Sequence, residues 1–126
     1  MALLDPKKPL IISLGMANIR EIEKTVKTAR LYGCKKIILL KCDSSYPAEI
    51  KNSNLFGIKY LANKFKVPVG YSDHTVGSAS AIASMMLGGC LIEKHVKLKN
   101  SNTPDSFFSE TPASFKNLVE DIKNLE

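Results

Sequence analysis

The sequence lacks several features that would assign it to a specialised class of protein. Its cysteines, Cys34, Cys42 and Cys90, are odd in number and have no CxxC spacing. Neither a disulfide framework nor a cysteine zinc site is therefore predicted, and a reducing compartment is favoured. No apolar stretch approaches the roughly 20 residues that span a bilayer, and the first residues contain no signal-peptide core. We expect a cytoplasmic protein with no membrane partner.

The chain also lacks the pattern of positive charge that is typical of nucleic-acid binding. Its formal net charge is +6, but the lysines are scattered and no Arg-rich or aromatic-interleaved run accompanies them. A basic cleft for a phosphorylated or carboxylated small molecule explains the same balance. The length of 126 residues, with 44% hydrophobic and 24% charged residues, is ordinary for one folded soluble domain. We expect no nucleic-acid partner.

Four apolar runs, each followed by a helical pattern, organise the chain. The runs predict strands at residues 9–13, 36–40, 67–71 and 90–96. Asn18 and Glu21 have capping-box spacing at the start of the first helix, and Pro112 suits the first turn of the last helix. The apolar positions of that last helix predict a buried face formed by Phe115, Leu118, Ile122 and Leu125. Strands of nearly continuous apolar character that alternate with helices favour an α/β fold of about four βα units with a parallel sheet.

Polar side chains gather at the carboxyl ends of the predicted strands, where parallel α/β sheets place their chemistry. His74 and His95 each follow one of these strands. Strand alternation puts Ser72 on the same face as His74, and Glu93 on the same face as His95. Two imidazoles at neighbouring strand ends can share one divalent cation, and a carboxylate on the inner face of an apolar strand is expected to meet a cation or a donor. Taken alone, the pair fits two structural histidines equally well.

Four motifs extend this pattern over the whole chain. They are Ile12-Ser13-Leu14-Gly15-Met16-Ala17, Ser45-Tyr46-Pro47, Pro68-Val69-Gly70-Tyr71-Ser72-Asp73-His74-Thr75-Val76-Gly77 and Ile92-Glu93-Lys94-His95-Val96. Together they resemble the second half of the catalytic barrel of the sialic acid synthase family. The resemblance implies a partial TIM (β/α)8 barrel over residues 1–126, with the first half of the barrel and the antifreeze-like domain absent. The run at residues 104–109 is similar to the pseudaminic acid synthase branch of that family.

The resemblance also implies an activity, which is the condensation of phosphoenolpyruvate with an N-acetylated hexose to form a nonulosonic acid, with release of phosphate. It implies that His74 and His95 ligate Mn²⁺ or Mg²⁺, a Lewis acid for the aldehyde of the sugar. Glu93 resembles a carboxylate near the metal-bound water, a candidate for proton transfer or for positioning that water. The implied catalytic residues are Glu93, His74 and His95. The implied substrate contacts are Ser13, Ser44 and Ser72 for phosphoenolpyruvate, and Tyr46 and Asp105 for the sugar.

The sequence departs from the family pattern at three positions, of which Leu14 lacks a hydroxyl beside the expected phosphate region. Leu14 stands where the family usually has Thr, Asp43 where Thr or Ser is common, and Ser44 where some members have Asn. Only half of the expected barrel is recognised, so we expect the chain alone to be an incomplete enzyme that pairs with a complementing barrel half or forms a homodimer. Three alternatives stay open. They are a catalytically inactive barrel fragment of marginal stability, a noncatalytic sugar- or phosphate-binding module, and a related synthase of shorter keto acids.

Overall fold

A computed structural model describes residues 5, 8–98 and 101–125 and shows a parallel sheet covered by helices. The strands β1 (Leu10–Ser13), β2 (Ile37–Cys42), β3 (Val69–Asp73) and β4 (Ile92–Lys94) lie in chain order and pair in parallel. The helices are α1 (Ile19–Leu31), α2 (Gly57–Phe65), α3 (Ala79–Met86) and α4 (Pro112–Leu125), one after each strand. Short 3₁₀ helices occupy Ile50–Asn52 and Pro104–Phe107. The predicted α/β class with four βα units is confirmed.

Local sequence determines where the helices begin and end. The Asn18 side chain accepts hydrogen bonds from the backbone N–H groups of Arg20 and Glu21, and the Glu21 carboxylate accepts the Asn18 N–H at 2.8 Å. This is the predicted capping box. Helix α1 ends just before Gly33, whose φ of +87° suits a residue without a side chain. Helix α4 begins at Pro112 as predicted, because a missing N–H costs nothing in the first turn.

The hydrophobic core lies between the helices and one face of the sheet. It contains strand residues and helix residues in contact, including Ile37, Leu39, Val69 and Tyr71 from the sheet and Ile22, Val26, Ile58, Leu61 and Phe65 from the helices. The opposite face, called the open face below, is only partly covered: Ile11 there is 47% exposed, whereas Leu40, Ser72 and His74 are buried. The parallel register places Cys42, Ser72 and Glu93 in one row across this face. Four parallel strands with their helices on one face correspond to half of an eight-stranded barrel.

Gly70 allows the two strands that carry the histidine motifs to pack closely. A Cβ atom at this position would overlap the backbone carbonyl oxygen of Leu91 and would lie 2.8 Å from Cδ2 of Leu40. The neighbouring backbone cannot move away without breaking the β3–β4 ladder, in which Tyr71 N–H donates to Leu91 O at 2.8 Å. A glycine is therefore required here for close approach rather than for an unusual backbone angle.

Some predicted boundaries and faces are wrong. Strand β3 begins at Val69, after Pro68, which has no N–H for a sheet ladder, and it extends through Asp73. Strand β4 covers only Ile92–Lys94, because the chain beyond it pairs instead with Glu110 through the His95 carbonyl. In α4, Leu118 is buried, but Leu125 is 52% exposed and does not share the predicted buried face. Among the described residues, no helix combines the length and the apolar character needed to cross a membrane.

Candidate active site

His74 and His95 lie beside each other just beyond the carboxyl ends of β3 and β4. Their ring centroids are 5.4 Å apart and the ring planes are nearly perpendicular, at 84°. The His74 residue is buried, whereas the side chain of His95 is about one-third exposed. Parallel pairing of β3 with β4 places Asp73 opposite Lys94, so the next residue of each strand arrives at the same edge of the sheet. The sequence-predicted juxtaposition of the two imidazoles is present, and their roles stay predictions.

The backbone after β2 orients the ring of His74. Nδ1 of His74 lies 2.6 Å from the carbonyl oxygen of Asp43. Because a carbonyl can only accept, Nδ1 carries a hydrogen, and in the neutral ring Nε2 presents a lone pair. Nε2 lies 3.4 Å from Oγ of Ser72. A histidine held in this way is prepared to act as a ligand or an acceptor through Nε2.

A charged loop borders the two rings. The backbone N–H of Ser45 donates to Oδ1 of Asp43 at 2.9 Å and lowers the pKa of that carboxyl below its ordinary value. On the other side, Oδ2 of Asp105 lies 3.7 Å from Nδ1 of His95, which is too long for a hydrogen bond. Asp105 is thus close to the second ring, and its role as a sugar contact stays a prediction. Each imidazole therefore has an acidic residue nearby.

Glu93 lies on the open face and is held by a serine. Oγ of Ser72 donates a hydrogen bond to Oε1 of Glu93 at 2.8 Å. Ser72 is buried and Glu93 is exposed. The sequence analysis expected a cation or a hydrogen-bond donor to meet this carboxylate, and a donor, the Ser72 hydroxyl, is present. The carboxylate is accessible, and a buried hydroxyl orients it.

An aromatic cluster surrounds the histidines. The Tyr46 ring stacks on His74 with centroids 4.2 Å apart, and the Tyr46–Pro47 peptide bond is cis. Phe108 is buried, and its ring centroid lies 5.0 Å from that of His95 and 5.9 Å from that of Tyr46. The sequence analysis did not single out Phe108. Its signal was its position in the run at residues 104–109, close to Asp105.

Ser13 and Ser44 lie at the neighbouring strand ends. Oγ of Ser13 and the backbone N–H of Gly15 both donate to Sγ of the buried Cys42, at 3.2 Å and 3.0 Å. Oγ of Ser44 would lie 3.1 Å from a Cβ at Gly15, so the loops after β1 and β2 are close together. Because Cys42 is in register with Ser72, Ser13 borders the row that leads to Glu93. The site thus extends from the end of β1 to the end of β4.

The described residues offer a cation two nitrogen ligands rather than a full coordination shell. No group of three or more His, Cys, Asp or Glu side chains within residues 5, 8–98 and 101–125 is arranged to hold a metal ion. His74 and His95 are the two residues that could hold one. The hydrogen bond from His74 Nδ1–H to a backbone carbonyl is the outer contact that metal-ligating histidines usually make. The remaining ligands of such an ion would have to be water, substrate or other protein groups.

A parallel half-barrel with polar side chains at the carboxyl ends of its strands defines a protein with part of a TIM barrel. Residues 2–126 match the NeuB family, and the chain belongs to that family. The crystal structure of the N-acetylneuraminic acid (sialic acid) synthetase from Leptospira borgpetersenii superposes with a TM-score of 0.87 at 32% identity. That superposition covers 93% of this chain and 41% of the other. The predicted family and the partial TIM barrel are both confirmed.

Curated relatives give the same family but two different products. The chain is 42% identical over 118 residues to pseudaminic acid synthase of Helicobacter pylori, an alignment that covers 93% of this chain and 35% of the relative. It is 39% identical over 125 residues to N,N'-diacetyllegionaminic acid synthase of Legionella pneumophila, covering 95% of this chain and 35% of the relative. The chain therefore spans about a third of the length of the curated relatives it matches.

Proposed function

We propose that this chain is the second half of the catalytic barrel of a nonulosonic acid synthase. The reaction proposed for the whole protein is the condensation of phosphoenolpyruvate with an N-acetylated hexose, with release of phosphate. The supporting observation is the cluster of Ser72, His74, Glu93 and His95 at the carboxyl ends of β3 and β4, in a NeuB-family chain whose relatives are named as synthases of such acids. Because the chain spans about a third of those relatives, the remaining strands are proposed to come from a complementing barrel half or a second copy.

His74 and His95 are proposed to hold Mn²⁺ or Mg²⁺. In the neutral His74 ring Nε2 is free to bind a cation, and the neighbouring ring lies 5.4 Å away between centroids, which fits two adjacent ligands of one ion. Imidazole nitrogen binds first-row divalent metals such as Mn²⁺, whereas Mg²⁺ prefers oxygen, so oxygen ligands would complete the shell of either ion. When bound, the cation supplies Lewis acidity toward the carbonyl oxygen of the sugar.

Glu93 is proposed to move or hold a proton during the reaction. Its Oε1 accepts the hydrogen bond of Ser72, so the carboxylate has a fixed direction and one oxygen left for water or substrate. An exposed carboxylate that faces the reacting groups can act as a general base or position a water molecule. This role requires only that Glu93 be ionised and accessible, and its exposure meets the second condition.

The substrates are proposed to occupy the two ends of the strand row. Hydroxyl groups of Ser13 and Ser44 would donate to the carboxylate and phosphate oxygens of phosphoenolpyruvate. Ser72 would do so only on giving up its hydrogen bond to Glu93. The hydrogen bond from the Ser13 hydroxyl to Sγ of Cys42 is weak, and an anionic substrate oxygen would replace that acceptor at little cost in free energy. Tyr46 and Asp105 flank the histidines on the loop side, where the sugar would lie. We further propose that the protein acts in the cytoplasm, because its cysteine pattern favours a reducing compartment.

The experiment is a reconstitution. The chain is co-expressed with the first barrel half of a relative, and phosphate release is measured with phosphoenolpyruvate, Mn²⁺ and a panel of acetamido-hexoses. The proposal expects release that depends on both substrates and is lost in His74→Ala and His95→Ala. Cys90→Ser, at an exposed position on the helix side, is the matched control and should keep the wild-type rate. Binding of substrate without turnover would favour a noncatalytic module, and neither binding nor turnover would favour an inactive fragment.

A further inference from the structure

A buried ion pair lies directly behind the two histidines. Nζ of Lys94 is 2.8 Å from Oδ2 of Asp73, and both side chains are 0% exposed. Asp73 immediately precedes His74 and Lys94 immediately precedes His95. Because side chains alternate along a strand, the ion pair lies on the helix side of the sheet and the imidazoles lie on the open side. Each half of the pair is therefore one residue away from a proposed ligand.

Lys94 holds the chain on both flanks of His74. Besides Asp73, its ammonium group donates to the carbonyl oxygen of Thr75 at 2.8 Å. The second carboxylate oxygen of Asp73 accepts the backbone N–H of Thr75, also at 2.8 Å. The ammonium group of Lys94 thus binds residues 73 and 75, and the backbone of Lys94 continues directly into His95. The backbone of His74 cannot rotate without breaking one of these three bonds.

Stability alone does not explain an ion pair at this place. Removing two charges from water carries a large desolvation cost, and an apolar pair of similar volume often gives an equally stable fold. What the charges add is direction, because the Lys94 ammonium donates to both Asp73 and Thr75, while Asp73 also accepts the Thr75 N–H. We propose that Asp73 and Lys94 are positioning residues that set the separation and orientation of His74 and His95 from the opposite side of the sheet.

The expected consequence for metal binding rests on the proposed function, whereas the geometric inference does not. Partners that orient metal ligands typically change metal affinity by about 10- to 100-fold when they are replaced. If His74 and His95 bind one ion, loosening the pair behind them should weaken that binding within the same range. If they bind none, the two rings should still change their relative position when the ion pair is removed.

The test replaces the pair by Asp73→Asn together with Lys94→Met. The asparagine oxygen can still accept the Thr75 N–H, and methionine fills most of the volume of the lysine side chain. Since the chain contains two histidines, ¹⁵N labelling of this chain alone, in the assembly used for the activity assay, gives imidazole signals from His74 and His95 only. The matched control is Glu23→Gln with Lys27→Met, an exposed pair on α1. Circular dichroism and thermal unfolding report the fold in parallel.

The proposal expects the double variant to fold, to change the imidazole nitrogen shifts, and to lose the nuclear Overhauser contact between the two rings. The Mn²⁺ dissociation constant should rise about 10- to 100-fold, while the control pair changes neither signal. A folded double variant with wild-type imidazole signals would overturn the inference. If the double variant does not fold, Asp73→Asn alone is measured in the same way, and loss of folding there too would make the pair structural. A wild-type protein that binds no Mn²⁺ would refute the metal proposal. The imidazole spectra would then decide whether Asp73 and Lys94 position the two histidines.

Discussion

Ser72 and Glu93 are register partners across β3 and β4 and share a hydrogen bond of 2.8 Å from serine Oγ to glutamate Oε1. The serine is buried and the glutamate is exposed, so a fixed donor holds an accessible carboxylate. This bond lies on the face that also carries His74 and His95. Substitutions at Glu93 should therefore separate chemistry from folding more cleanly than substitutions at the buried residues beside it.

Glu93→Gln should lower kcat of the reconstituted enzyme by about 10²- to 10⁴-fold, the usual contribution of a general acid or base. The amide oxygen can still accept the Ser72 hydrogen bond, but the side chain no longer takes up a proton. Because Glu93 is exposed, the free energy of unfolding should change by no more than about 0.5 kcal/mol. Phosphate release and urea unfolding are measured together, with the exposed Glu49→Gln as control. A wild-type kcat in Glu93→Gln would exclude the proton-transfer role.

Tyr46→Phe and Tyr46→Ala should differ, because the aromatic ring rather than its hydroxyl contacts His74. The stacked geometry, with centroids 4.2 Å apart, is kept by phenylalanine and lost with alanine. Loss of the stack should cost about 0.5–1.5 kcal/mol of stability, and it should raise KM for the sugar. Thermal unfolding and sugar titrations at saturating phosphoenolpyruvate provide the two measurements. Equal behaviour of the two variants would show that the ring contact carries no energy.

Tyr71 should make stability depend on alkaline pH. Its hydroxyl donates to Oγ of Ser53 in the core, and burial raises its pKa above the ordinary value of 10.0. Tyr71→Phe should lose about 1–3 kcal/mol at neutral pH, since a buried serine loses its partner. A raised pKa in the folded state gives stability that is present below 10.0 and is lost as the pH rises through the folded value. The difference in the free energy of unfolding between wild type and Tyr71→Phe should therefore become smaller at high pH. Urea unfolding between about pH 8 and pH 11 would measure it. A constant gap would contradict the raised pKa.

Gly70→Ala should destabilise the chain by about 1–3 kcal/mol or more, because the added methyl group meets the Leu91 carbonyl and Leu40. Gly57→Ala is the matched control. Its Cβ would be 3.8 Å from the nearest atom, Cε of Lys41, and Gly57 is the first residue of α2. Alanine there should stabilise by about 0.4–1 kcal/mol. Urea unfolding should show that the two substitutions change the free energy of unfolding in opposite directions. An unchanged free energy in Gly70→Ala would show that β3 and β4 can move apart without cost.

Features that depend on local sequence or on strand periodicity could be predicted. The Asn18–Glu21 capping box forms within one helical turn, and Pro112 starts α4. Alternation correctly placed Ser72 with His74, because the side chains of a strand point to opposite faces in turn. These signals need no knowledge of the partner strand. They were enough to locate the histidine cluster at one edge of the sheet.

Features that depend on distant partners could not be predicted. Lys94 and Asp73 are 21 residues apart, and their pairing requires the parallel register of β3 and β4. The available signal was a pair of opposite charges on the buried side of two neighbouring apolar strands. The exposure of Glu93 depends on what covers the open face, which lies outside the local sequence. The shortness of β4 depends on Glu110, which captures the backbone after His95.

Each strand of the sheet pairs with the strand that comes before it in the chain. Folding can therefore proceed in the order of synthesis, with every new strand and helix docking onto the unit already in place. Each pairing closes one crossover and not the whole chain, so the entropic cost of loop closure is divided among successive steps. When strands are added in this order, the sheet has an unpaired edge strand at every stage until its last strand pairs with its first.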